Sequence, residues 1–229
     1  MTEREQLHRD GYALLRQAIP QQWLEHLRAV FETGVVPSQQ WPVPRGPDWR
    51  HSQLDEDPQV QAACRLPQLL ATVGELLGER FFLSQVEGRD PVASGGHQAL
   101  HRDRSGRRPG DTVSVLVYLD DFGPGNGATR IVPGSHRPQP GEQPFDFNDE
   151  SLSQQLAGHA GDILVFDAEL VHAASRNLTG RHRRTLMVSY RAESLYTSHL
   201  ETRALRNVRM DTLDRFEPSG KALGQPLAG

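Results

Sequence analysis

The sequence predicts a mostly β fold, a double-stranded β-helix (jelly roll) core with N-terminal helices packed on one of its sheets. Three observations carry this expectation. The first third of the 229 residues is patterned at helical period, and after Gly78 the period shortens to that of strands. Gly, Pro and Asn clusters then separate the short apolar runs. Helices followed by runs of strands imply a β core with helical cover, and a two-sheet roll closes such a set of strands economically. No repeat recurs along the chain. One domain is expected over 1–229: a helical cover at about 1–78, a jelly-roll core at about 79–215 and a flexible Gly/Pro/Ala-rich tail at 216–229.

Residues 4–33 read as a helical opening interrupted by a short strand at Gly11-Tyr-Ala-Leu-Leu15. From Gln22 to Phe31, the apolar residues Trp23, Leu24, Leu27, Val30 and Phe31 fall on one helical face. The stretch from Val35 to Asp57 holds Pro37, Pro42, Pro44, Pro47, Trp41 and Trp49, and its prolines predict a loop. Pro58 to Leu77 reads as one further helix, with Gly78 as its stop. Strands are expected at Arg80–Glu87, Thr112–Leu119, Asp162–Phe166 and Arg184–Tyr190.

Composition narrows the function classes. A net charge of −4 and a pI near 6.2 argue against general nucleic-acid binding, which needs a basic field to neutralise phosphates. No apolar run approaches the ~20 residues of a membrane span, and mean hydropathy is −0.58. The N-terminus lacks the apolar stretch of a signal peptide, and the single cysteine, Cys64, has no internal partner. A cytoplasmic protein with a small-molecule substrate, no nucleic-acid partner and no membrane is expected. Oligomeric state is left open.

The chemistry centres on His101-Arg102-Asp103 and the distant His172. On extended backbone a carboxylate two residues from a histidine faces the same side. A second histidine from elsewhere then completes a 2-His-1-carboxylate triad with open positions, which suits non-haem Fe(II). His-x-Asp alone is a weak signal, since His8 and Asp10 make another copy. His97 and His136 are the competing candidate ligands.

The surroundings strengthen the second copy. Asp10-Gly-Tyr12 precedes a strand and helix, and Leu119-Asp-Asp-Phe-Gly-Pro-Gly-Asn-Gly-Ala-Thr-Arg-Ile-Val-Pro-Gly-Ser-His136 forms a long glycine-rich signature. Gly161-Asp-Ile-Leu-Val-Phe166 leads toward His172, with Arg183 eleven residues beyond it. Together these resemble the phytanoyl-CoA dioxygenase-like family of Fe(II)/2-oxoglutarate oxygenases over nearly the whole chain. The resemblance implies iron ligation by His101, Asp103 and His172, with 2-oxoglutarate and O2 as co-substrates and ascorbate as an assisting reductant. It implies that Arg183 grips the far carboxylate of 2-oxoglutarate, with Ser114 supporting it and Gln85 close by. Arg184 points to the opposite face of the same strand, so a one-residue register shift exchanges the two arginines. Related halogenases lack the carboxylate ligand; Asp103 is present, so hydroxylation or oxidative ring closure is expected.

For the substrate, Trp49, His51, Gln98, Arg102, Arg104, Tyr118 and Arg130 are expected around the site. Such a polar, aromatic lining suits a hydroxyl-rich metabolite, with the orthosomycin-type oxygenases of sugar-containing antibiotics as the nearest analogy. An amino-acid-derived or acyl substrate is the alternative. A non-catalytic metal-binding jelly roll, or an iron enzyme without 2-oxoglutarate, is the rival that has no need of Arg183.

Overall fold

The computed structural model describes residues 3–103, 110–137, 141 and 143–223. Its elements in chain order are α1 (Glu3–Asp10), β1 (Tyr12–Leu15), α2 (Leu24–Thr33), β2 (Trp49–Ser52), α3 (Pro58–Ala63), α4 (Pro67–Leu77), β3 (Phe81–Pro91), β4 (Thr112–Tyr118), β5 (Thr129–Ile131), β6 (Gln154–Gln155), β7 (Ile163–Asp167), β8 (His172–Ala174), β9 (Thr185–Ala192), α5 (Tyr196–Thr202), β10 (Arg215–Phe216) and β11 (Ala222–Leu223). The fold is mostly β, as expected. An eight-stranded sheet runs β1-β7-β4-β9-β3-β10-β11, with β2 also paired to β3, and a three-stranded sheet runs β6-β5-β8.

The large sheet has two unlike faces because its strands alternate. Val113, Val115 and Val117 of β4, Ile163 and Val165 of β7, and Leu186, Val188 and Tyr190 of β9 join the main core beneath the helices. Leu24, Leu27 and Phe31 of α2 and Leu69, Leu70, Val73, Leu76 and Leu77 of α4 supply its other half. The opposite sheet face looks toward the small sheet. There Ser114 pairs with Phe166 on one side and Ser189 on the other, and Ser189 pairs with Gln85, so one row of side chains crosses four strands.

Beta3 reaches this arrangement through an irregularity. Its register shifts between Leu83 and Gln85. Phe81 and Leu83 lie in the core, and after the bulge Val86 does so too. The extra residue reverses the parity of the strand, which turns Gln85, Glu87 and Arg89 to the small-sheet side.

Three expectations are corrected. Pro58–Leu77 is two helices, not one. The proline at 67 forces Leu66 to extended backbone (ψ 131°) while serving as the first residue of α4. Asp57 caps α3 by accepting from the Gln59 and Val60 amides at 2.9 Å each. Within the expected loop 35–57, Trp49–Ser52 is a strand, because the end of β3 offers it an unpaired edge. Finally, residues 216–223 are no free tail: Phe216 pairs with Phe81 and β10 pairs with β11. This hairpin packs against α4 so closely that a Cβ on Gly74 would stand 1.9 Å from the Pro218 carbonyl oxygen. Residues 224–229 lie outside the described residues.

Candidate metal centre

His101, Asp103 and His172 meet at the mouth between the two sheets. The backbone arranges this: His101 and His172 exchange amide–carbonyl hydrogen bonds of 3.0 Å in both directions, and the Asp103 amide donates to the Ala168 carbonyl at 2.9 Å. Each residue offers one donor atom within 4.8 Å of the other two. His97 and His136 lie outside this group; His136 is buried under α1, against Gly11.

Hydrogen bonding fixes the state of the two imidazoles. His101 Nδ1 donates to the Ala99 carbonyl at 2.9 Å, and His172 Nδ1 donates to the Leu170 carbonyl at 2.8 Å. Because a carbonyl only accepts, the proton of each neutral ring lies on Nδ1, and Nε2 presents a lone pair. Those Nε2 atoms stand 3.6 Å and 3.5 Å from the oxygens of Asp103. Burial opposes ionisation of Asp103, but its cationic neighbours outweigh burial: His172 and His101 when protonated, and then Arg89, hold the carboxyl below its usual range. Three acceptors thus converge with no proton of their own between them. That set fits a divalent cation, and the Nδ1 hydrogen bonds are the outer partners that orient metal-binding histidines.

A cavity extends inward from the triad. Leu116, Phe166 and Met187 give it apolar walls, Ser114 and Thr129 add hydroxyls, and Gln98 and Trp49 also line it. Arg183 stands in the same lining. Its guanidinium is sandwiched between Trp49 (5.3 Å) and Phe122 (5.0 Å), while Asp90 accepts its backbone amide at 2.9 Å. Among the described residues no carboxylate takes the guanidinium, and Nε has no hydrogen-bond partner. Burial pulls its pKa down to about 10, so it remains charged near neutrality. A buried, unpaired cation facing a cavity is costly unless an anion joins it. Arg184 points away, held by Asp120 and Glu32.

Several expected site residues lie elsewhere. Tyr118 is fully buried, stacked on Phe122 at 3.7 Å, and its ring is covered by Gly158 rather than open to the cavity. His51 is buried beside Glu87 and Trp41. Gln85 faces the correct side of the sheet but donates to Glu87 at 3.2 Å. Arg102 alternates away from its two neighbours and braces backbone, donating to the Glu169 and Ser135 carbonyls. Arg130 pairs with Glu150 and the Gln98 carbonyl, stapling the small sheet. Arg104 lies outside the described residues.

Sequence reading missed Arg89, Thr129 and Asp90. Thr129 was available in the glycine-rich signature. Arg89 had no local signal, since only the bulge in β3 turns it inward.

The chain resembles known proteins in sequence and in fold. The family model described as Phytanoyl-CoA dioxygenase (PhyH) matches residues 7–185. Among curated proteins, Dioxygenase FUM3 of Gibberella moniliformis is 32% identical over 110 residues, 43% of this chain and 34% of its own. The chain spans about a third to a half of the length of the first curated relatives it matches. Among solved structures, the non-haem α-ketoglutarate-dependent epimerase SnoN from nogalamycin biosynthesis superposes with a TM-score of 0.67 at 20% identity, covering 83% of this chain and 82% of that one. HygX from Streptomyces hygroscopicus, solved with nickel, 2-oxoglutarate and hygromycin B, gives 0.67 at 21% identity, covering 84% and 88%. At these identities the two structures establish a shared fold.

Proposed function

Because the chain belongs to the phytanoyl-CoA dioxygenase (PhyH) family, we propose that it is an Fe(II)- and 2-oxoglutarate-dependent oxygenase of a small polar metabolite. One observation carries the reading: three converging acceptor atoms share a cavity with a buried guanidinium that no carboxylate among the described residues takes. His101, Asp103 and His172 would hold the iron. Iron bound there would, with 2-oxoglutarate and O2, supply the oxidising power that removes hydrogen from a substrate, with succinate and CO2 as co-products.

The chain's own residues do the rest. Arg183 binds the far carboxylate of 2-oxoglutarate through a planar fork that suits bidentate contact, and Ser114 and Thr129 offer hydroxyls along the way. Trp49 and Phe122 cover the guanidinium and exclude water from that contact, which strengthens it. Leu116, Phe166 and Met187 keep the inner end apolar. Hydroxylation or oxidative ring closure of a natural product is the favoured outcome. The fold shared with SnoN, from nogalamycin biosynthesis, and with HygX, which holds hygromycin B, supports that class.

The test is release of labelled CO2 from 2-oxoglutarate labelled at its keto-acid carboxyl, with Fe(II) and ascorbate. Release above a metal-free control, lost on His172→Ala, is the expected result. No release, with 2-oxoglutarate binding unchanged by Arg183→Ala, would sink the reading.

A further inference from the structure

A second cleft opens beside the triad on the same sheet face, and its lining is cationic. Arg89 and Arg191 line it together with the hydroxyls of Thr112, Ser114 and Ser189. Its one carboxylate among the described residues is Asp103, already committed to the triad. Asp103, Ser114, Met187 and Arg89 border both this cleft and the inner cavity, so the two spaces meet beside the triad.

Arg89 is held with its charge to spare. Its Nε donates to Glu87 at 2.6 Å, and Glu87, buried at 2% exposure, also takes Arg45 at 2.8 Å. One carboxylate between two guanidiniums leaves an excess positive charge. The terminal amino groups of Arg89 make no hydrogen bond among the described residues. The Arg191 guanidinium likewise makes none there, and its Nε is buried without a partner. Asp111 is the carboxylate whose charge favours its cationic form, while His199 and Arg206 also lie within its electrostatic reach and supply no negative charge. Two planar forks with unused donors, flanked by hydroxyls, match the geometry of a carboxylate or phosphate. Arg183 lines the inner cavity and not this cleft, so it is a separate cation.

We propose that the substrate carries an anionic group, a carboxylate or a phosphate, which Arg89 and Arg191 grip in this cleft, leaving the rest of the molecule beside Asp103. This rests on the reading of the triad as the reacting centre, and it puts substrate binding on arginines other than Arg102 and Arg130, which respectively brace backbone and pair with Glu150.

The test uses protein loaded with Mn(II) and saturated with 2-oxoglutarate, and reads paramagnetic broadening of small probes. Inorganic phosphate and N-acetylglycine are the anions; trimethyl phosphate and N-acetylglycinamide are their neutral counterparts. Broadening of an anion but not of its neutral counterpart is expected. It should fall at least about fivefold in Arg89→Gln and in Arg191→Gln, and return in Arg89→Lys. Which of the two anions responds identifies the group. Equal broadening of the neutral probes, or undiminished broadening in Arg191→Gln, overturns the proposal. Failure of the metal reading is seen separately, as Mn(II) retention that His172→Ala does not reduce. Metal-free protein then carries the test: the same anions should raise the melting temperature of wild type and not of Arg191→Gln, and an equal rise in both overturns the proposal.

Discussion

Asp120 takes the Arg184 guanidinium in hydrogen bonds of 2.9 Å and 2.8 Å and so turns it out of the cavity that its neighbour Arg183 faces. Two adjacent arginines thereby acquire opposite duties. Arg183→Ala should raise the Kd for 2-oxoglutarate at least about thirtyfold, since removing one partner of a buried charged pair costs roughly 2–5 kcal/mol. Arg184→Ala should leave that Kd within about threefold and instead lower stability by about 1–3 kcal/mol, the scale of hydrogen bonds between charged groups. Calorimetric titration and denaturant unfolding of both variants decide the assignment.

The triad predicts a metal-linked stability. Ni(II) or Mn(II) should raise the melting temperature of wild type, because a ligand that binds only the folded state stabilises it. His101→Ala, Asp103→Ala and His172→Ala should each abolish that rise. Loss of an outer partner alone typically costs about 10–100-fold in metal affinity, so loss of a ligand should exceed about 100-fold. In metal-free protein, removing one of three facing acceptors should not lower the melting temperature. A variant that still responds to metal would remove that residue from the ligand set.

Gly11 has φ +81°, and a Cβ there would stand 2.5 Å from His136 Nδ1. Gly11→Ala combines a left-handed backbone with an overpacked contact, for an expected loss of about 2–4 kcal/mol. Adding His136→Ala should return the steric share and leave the backbone share. The denaturation midpoints of the single and double variants measure the split.

Acid should weaken the fold well above the carboxylate range. His51, His136 and His199 are buried, and burial first, then a nearby arginine in each case (Arg89, Arg137 and Arg206), lowers each pKa to about 4. An unfolded histidine titrates near 6.5. Between about pH 6.5 and 4 the unfolded chain therefore binds protons that the native state refuses, and stability falls as pH falls. The slope is at most about 1.4 kcal/mol per pH unit for each histidine. Melting temperatures should be flat from pH 7.5 to 7 and decline from 6.5 to 5. His136→Gln should flatten that decline; a slope unchanged in every single His→Gln variant would contradict it.

The sequence by itself determined the order of helices and strands, the four long strands to within a few residues, and the spacing that brings His101, Asp103 and His172 together. These were legible because strand period, proline and glycine act over a few residues, and because His-x-Asp needs only one extended segment to align its ligands. Tertiary structure decided which side chains reach the cavity. The bulge between Leu83 and Gln85 turned Arg89 inward, and Phe122 and Gly158 closed over Tyr118. The free end of β3 made a strand of Trp49–Ser52, and Gly74 let the hairpin at 215–223 settle on α4. Each of these depends on a partner far away in the chain. A strand's period says that its residues alternate, while only its pairing with neighbours says which face is buried.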